Sequence, residues 1–572
     1  MQFRVLLSFV LLTAACAPAT ARGPLSPEIA YDVIITNGRI VDGSGNPWYY
    51  GDVGVRGDRI VFVGPKGSLA RARAVERVDA TGMLVAPGFI DIQSHSWTPL
   101  LTGDGRVVSK ITQGVTSEIL GESTTPAPLN ASAAENYGVS ITDTTATSRL
   151  YASFAGPRGF DSWLTAIEKH GNSVNAGSYL GASTVRAYAK AQTQGPATAA
   201  ELDTMRLIVR NAMQDGAFGI STALIYPPGS YATTEELAEM ARAMAPYGGT
   251  YITHMRDEGD RLLEAADEAM YIGRYGDVPV VIYHLKASGG RVNWPKARLI
   301  VAKIDSARRA GQDVTATMYP YAASGNNLSA SIPDWASADG KLLQNLGDST
   351  HRARMVREMI ADEEDDGDPF DGPESRMVIG LDSPELKRFE GMRLKQIADS
   401  LGRHWAETLI DIVIAEEDNV SQITFGMSEE NVAMQIAQPW VMIGTDAGGF
   451  DPARSSRLVH PRAYGSYPRI LGKYVRDEGV LRLEDAVRKM TWAVAQSLGV
   501  RDRGLLKEGS FADVIIFDPA TIADRATFTQ PHQLSVGVRD VWVNGARVLR
   551  GGTHTGATPG RALRGPGWRR AP

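Results

Sequence analysis

The sequence predicts an α/β chain: a (β/α)8 TIM-like barrel, a small β domain built from both chain ends, and an inserted subdomain before the last barrel strand. Three observations carry this reading. Short β-branched runs alternate with helical stretches through the middle of the chain, strand-rich segments stand at both ends, and one connection is far too long for a barrel loop. The 572 residues are 43% hydrophobic and 22% charged, ordinary globular usage that excludes a mostly disordered or collagen-like chain. A net charge of −6 is too mild to suggest a nucleic-acid partner. Outside the N-terminus no apolar run reaches the length of a membrane-spanning helix.

Residues 1–22, MQFRVLLSFVLLTAACAPATAR, have the pattern of a signal peptide: Arg4, an apolar stretch from Val5 to Leu12, then small residues. Ala19-Thr20-Ala21 fits an ordinary cleavage site, whereas Leu12-Thr13-Ala14-Ala15-Cys16 resembles a lipoprotein box. The expectation is an exported, periplasmic protein, held to the membrane only if Cys16 is lipidated. Cys16 is the single cysteine, so any metal site must use histidine and carboxylate. Residues 31–64 hold β-branched runs separated by turn signals at Asn37-Gly38, Asp42-Gly43 and Gly57-Asp58, and residues 509–550 repeat the style with Asn544-Gly545. They predict one composite β domain from residues 23–83 and 503–572.

Residues 84–502 then form the barrel. Its candidate strands are Leu84–Ile92, Thr116–Leu120, Asn175–Gly181, Phe218–Leu224, Thr250–Thr253, Val278–Tyr283, Asp313–Tyr319 and Trp440–Gly444. Helical patterns such as EELAEMARAMAPYG and RLLEAADEAMYIGRYG lie between several of them. Between the seventh and eighth strands stand residues 322–438, 117 of them, which must hold the insertion. The acidic run ADEEDDGDPFDGPE at 361–374 fits no EF-hand spacing and reads as a solvated linker.

Barrel chemistry sits at the C-terminal ends of strands. The first strand is followed by Gln93-Ser94-His95 and the second by Gly121-Glu122-Ser123; the fifth ends in His254, the sixth in His284, the eighth in Asp446. His254 and His284 are 30 residues apart, one strand–helix–strand repeat, and so land on adjacent strands. A glutamate and two histidines can hold zinc with an open position, and Asp446 can act as general base for a metal-bound water. One histidine after a strand is usually a hydrogen-bonded surface group, but two, one repeat apart, with carboxylates at other strand ends, point to metal. His170, His351, His404, His532 and His554 lie off strand ends and receive no role.

Together PGFIDIQSHS, QGVTSEILGE, YITHMRDEGD, VIYHLKASG, PWVMIGTDAG and HPRAYGSYPRILGKYVR resemble the N-acyl-D-amino-acid deacylase (D-aminoacylase) branch of the amidohydrolase superfamily. The resemblance runs from residue 31 to about 565. It implies zinc-dependent hydrolysis of the amide bond of a small-molecule N-acyl-D-amino acid on the same architecture. Two departures stand out. The superfamily pattern His-x-His is here Gln93-Ser94-His95, and many relatives carry a cysteine ligand where this chain has Glu122-Ser123. An amide is a poor zinc ligand and serine a weaker one than a carboxylate. The pattern therefore implies one zinc per chain on Glu122, His254 and His284, with the position near Gln93 and His95 empty or weakly filled. The resemblance also assigns Arg462 to the substrate α-carboxylate, assisted by Lys286 and Tyr226. Asp446 becomes general base and acid, and His95 a stabiliser of the oxyanion. Alternatives are hydrolysis of small peptides or cyclic amides, and a non-catalytic envelope lipoprotein on the same scaffold. The fourth strand, GAFGISTAL, lacks the lysine that many cyclic-amide hydrolases use there.

Overall fold

The computed structural model of the chain describes residues 30–362 and 368–569, so the leader, Cys16 and part of the acidic run lie outside the described residues. The barrel wall is made of short parallel strands, almost wholly buried because helices cover one face and the barrel interior the other. In order they are Phe89–Asp91, Val115–Leu120, Asn175–Ser178 continuing as Leu180–Gly181, Gly219–Ala223, Thr250–His254, Val280–Ile282, Val314–Met318 and Val441–Ile443. Each pairs in parallel with the next. The ring closes where Asp446 N–H donates to Gln93 O (2.9 Å) and His95 N–H to Ala447 O (3.1 Å).

The structure corrects several sequence boundaries. The first candidate strand, Leu84–Ile92, is two strands. Leu84–Pro87 pairs antiparallel with Val514–Phe517 and joins the two chain ends in a nine-stranded sheet; only Phe89–Asp91 belongs to the barrel. The switch falls at Gly88, where a Cβ would stand 2.2 Å from Thr116 Oγ1, so a glycine is required for the second strand to approach. The third strand breaks at Tyr179, whose N–H still donates to Leu120 O (2.9 Å). The last segment leaves the β sheet and crosses the N-terminal rim of the barrel. There Leu563 N–H donates to Ala176 O (2.8 Å) and Gly565 N–H to Gly216 O (2.8 Å).

The insertion carries its own antiparallel sheet of Ser324–Asn327, Ser421–Thr424 and Arg376–Ile379. Helices including Leu394–Leu401 and Trp405–Ala415 pack over it around Val378, Leu394, Ile397, Leu409 and Val413. It ends earlier than residue 438. Helix Glu429–Ile436, capped by Ser428, buries Val432 and Ile436 in the main core and is a barrel helix.

Beneath the barrel mouth lies a buried ionic knot. Lys110, fully buried, places Nζ 2.6 Å from Asp91 Oδ2, 2.6 Å from Thr445 Oγ1 and 2.7 Å from Ala447 O. Asp91 also accepts from the backbone N–H of Gln93 (3.2 Å) and Thr445 (2.9 Å). The knot thus fixes the two strand ends that carry Gln93 and Asp446. Lys110→Met leaves Asp91 without its cation and is expected to cost about 3–5 kcal/mol. The check is urea unfolding, where a midpoint unchanged from wild type contradicts the assignment.

Candidate active site

A cavity of about 770 Å³ opens at the C-terminal ends of the strands, and all eight residues expected at the site line it: His95, Glu122, Tyr226, His254, His284, Lys286, Asp446 and Arg462. Several reach it through unusual backbone. Gly121 (φ 106°) has no room for a side chain, since a Cβ would lie 2.2 Å from Tyr179 O, and it turns Glu122 inward. His284 (φ 34°) and Asp446 (φ 51°) are non-glycine residues in the left-handed region, a cost of about 1–3 kcal/mol each. His284 N–H is held by Thr317 Oγ1 (2.8 Å) and Asp446 N–H by Gln93 O (2.9 Å).

Glu122, His254 and His284 offer three ligand atoms within 4.8 Å of one another. Glu122 Oε1 is 3.3 Å from His254 Nδ1 and 3.6 Å from His284 Nε2. Burial opposes the charge on Glu122, but the two imidazoles hold its carboxyl well below the usual range. Burial likewise lowers His254, yet the carboxylates of Glu258 and Glu122 overcome it and raise the imidazole to about 9. One carboxylate with two imidazoles is a donor set that fits zinc. Ser123 is not part of it: its backbone is left-handed (φ 62°) and its hydroxyl lies 2.9 Å from Ser183 Oγ.

Gln93 occupies the place where the superfamily pattern puts the first histidine. Its Nε2 donates to Glu122 Oε2 (2.6 Å) and to Asp446 Oδ1 (3.0 Å), while Thr317 Oγ1 donates to its Oε1 (3.2 Å). Asp446 Oδ1 is also 2.9 Å from His95 Nε2, and its Oδ2 is 2.6 Å from Arg462 Nη1. Burial raises the Asp446 carboxyl, but Arg462, His284 and His95 bring it below its ordinary value. His95 packs its ring against Trp97, centroids 4.9 Å apart.

Arg462 is buried, with its guanidinium 4.6 Å over the Tyr319 ring, Nη2 donating to Gly325 O (3.0 Å) and Nε without a hydrogen-bond partner among the described residues. Tyr226 stands edge-on to His254, 5.9 Å between centroids, and hydrogen-bonds Asn326. Lys286 Nζ lies 2.7 Å from both oxygens of Glu258 and 2.7 Å from His284 Nδ1.

Glu258 is the residue that sequence reasoning missed. It sits 3.4 Å from His254 Nε2 and 3.1 Å from His284 Nδ1, the ring nitrogens that face away from Glu122. Its signal was present as the fourth residue after His254 in YITHMRDEGD. A carboxylate behind ligating histidines fixes their ring orientation and strengthens them as ligands. His460 was also passed over. Its Nε2 donates to Ala323 O (3.0 Å) and its Nδ1 accepts the backbone N–H of Arg462 (3.0 Å), so it seats the arginine.

An amidohydrolase family model matches residues 417–549. The D-aminoacylase of Alcaligenes xylosoxydans xylosoxydans is 36% identical over 534 residues, 93% of this chain and 97% of that protein. A solved structure of D-aminoacylase, with a binuclear metal centre in which one metal activates and a second attenuates, is 35% identical. It has a TM-score of 0.75 and covers 93% of this chain and 100% of its own. The N-acyl-D-glutamate deacylase of Bordetella bronchiseptica, solved with zinc and a phosphonate mimic of the tetrahedral intermediate, is 31% identical. Its TM-score is also 0.75, over 94% of this chain and 100% of its own.

Glu258→Gln keeps the shape of the side chain and removes the charge behind both histidines. Zinc affinity, measured by competition with a chromogenic chelator, is expected to fall about 10–100-fold. An unchanged affinity contradicts the supporting role.

Proposed function

This chain belongs to the D-aminoacylase family of N-acyl-D-amino-acid deacylases, within the amidohydrolases, and from that premise we propose how its site works. The protein is a zinc-dependent hydrolase that cleaves the amide bond of N-acyl-D-amino acids to a carboxylate and a free D-amino acid. The observation that carries the reading is one cavity holding both a carboxylate–bis-histidine set and a buried guanidinium with an unpartnered N–H.

Glu122, His254 and His284 would hold the metal, which when bound would lend Lewis acidity to the amide carbonyl and make water easier to deprotonate. Asp446 is kept ionised by Arg462 and His95, so it takes the proton of the attacking water and returns it to the departing nitrogen. Arg462 and Lys286 grip the α-carboxylate, and Tyr226 adds its phenol O–H. This anchoring places the scissile carbon beside the metal triad and turns binding energy into orientation. His95, beside Asp446, donates to the oxyanion as it develops.

A single zinc per chain is supported by Gln93. Its amide already donates to Glu122 and Asp446, which with His95 are the groups that could hold a second cation. Export through residues 1–22, with Cys16 as a lipidation position, belongs to the same proposal and is supported by the sequence pattern alone.

The test is release of free amine from paired N-acetyl-D- and N-acetyl-L-amino acids by the purified zinc protein. Turnover confined to the D series is expected; L-selective turnover, or none, overturns the reading. Asp446→Asn is expected to lower kcat by about 10²–10⁴-fold while the zinc content stays that of wild type. Near-wild-type kcat in that variant removes Asp446 as the base.

A further inference from the structure

Beyond the carboxylate grip, the cavity is walled by the inserted subdomain, and its chemistry there is one-sided. Arg462 Nη2 donates to Gly325 O (3.0 Å), and Tyr226 hydrogen-bonds the next residue, Asn326. Asn326 stands directly opposite Gln422 on the neighbouring strand. Gln422 is 3% exposed and lines the cavity. Its Nε2 donates to Asn326 Oδ1 (3.0 Å) and Ser331 Oγ (3.1 Å), which fixes the orientation of the amide. The acceptor end, Oε1, is left buried with no hydrogen-bond partner among the described residues.

Asp418, four residues earlier, lines the same cavity and has the same deficit. Its Oδ1 is buried without a hydrogen-bond partner among the described residues, and burial lifts its carboxyl above the ordinary value against a hydroxyl contact from Ser329. Among the described residues no lysine or arginine neutralises it. Asp334, an exposed carboxylate near Arg256, lines the same cavity. The lysine and arginine that line the cavity, Lys286 and Arg462, are committed to Glu258, Asp446 and the α-carboxylate. Two buried acceptors without donors cost free energy until a ligand supplies N–H groups.

The α-carboxylate and the side chain of an amino acid leave the same carbon. A substrate held by Arg462 and Tyr226 therefore sends its side chain from the edge of Gly325 and Asn326. Paired strands lie roughly 5 Å apart, so Gln422 is within the span of a long side chain from there. We propose that this end of the cavity is a side-chain subsite that selects a cationic N–H donor, making N-acyl derivatives of basic D-amino acids, D-arginine first, the preferred substrates. A planar guanidinium carries several N–H groups of the kind that Gln422 Oε1 and Asp418 Oδ1 lack. An acidic side chain would instead meet Asp418, a repulsive element against N-acyl-D-aspartate and N-acyl-D-glutamate.

The inference rests on the deacylase reading and is tested by comparing kcat/KM for N-acetyl-D-arginine, its uncharged isostere N-acetyl-D-citrulline, N-acetyl-D-leucine and N-acetyl-D-glutamate. Wild type is expected to favour arginine over citrulline about tenfold or more, with glutamate slowest of the four. Asp418→Asn is expected to bring the arginine-to-citrulline ratio close to one; should that variant fail to fold, the wild-type ratio alone decides. A wild-type ratio near or below one, or a ratio unchanged in a folded Asp418→Asn protein, overturns the subsite while leaving the deacylase intact. No turnover of any of the four overturns the deacylase reading, and the subsite falls with it.

Discussion

Glu122, Glu258 and Asp446 crowd the barrel end of one cavity, and the cost of burying unpaired charge dictates what surrounds them. Glu258 is met by Lys286 and by the outer nitrogens of His254 and His284. Asp446 is met by Arg462 and His95. Glu122 faces the inner nitrogens of the same two histidines and the amide of Gln93. The histidine pair thus stands between two carboxylates, with the inner nitrogens and Glu122 forming a donor set for a cation. In the proposed chemistry that cation is zinc, and the groups left over, Asp446 and Arg462, are the ones that need to meet water and substrate.

The scaffold holds this arrangement at some expense. His284 and Asp446 sit in left-handed backbone, and both are pinned from behind, by Thr317 and by the main chain of Gln93. Below them the Lys110–Asp91–Thr445 knot locks the first and eighth strands, the seam at which the barrel closes. A buried ion pair is a weak source of net stability, and this one ties the first and eighth strand ends to one another. Here the register decides where the side chains of Gln93 and Asp446 point.

Much of this was legible in the sequence because it follows from periodicity. Apolar runs of strand length at regular spacing give the barrel, and the rule that chemistry sits at the C-terminal strand ends singles out Glu122, His254, His284 and Asp446. What escaped was what periodicity does not encode. Leu84–Ile92 is one apolar run but two strands, because Gly88 lets the second barrel strand approach and passes the chain between sheets. Helix Glu429–Ile436 has the same pattern whether it covers the insertion or the barrel, and only the burial of Val432 and Ile436 decides. Glu258 lies in a loop, where spacing from His254 says nothing about facing it. Gln93 reads in sequence as the loss of a ligand; in three dimensions it is a donor shared by two carboxylates that approach each other from distant parts of the chain.

The central claim is that one cation sits among Glu122, His254 and His284, and that the Gln93 amide takes the place of a second. An anomalous difference map at the zinc edge, from crystals of the purified protein, tests it most directly. The account predicts a single peak per chain within bonding distance of those three side chains. A second peak between Glu122, His95 and Asp446, or no peak at the triad, contradicts it.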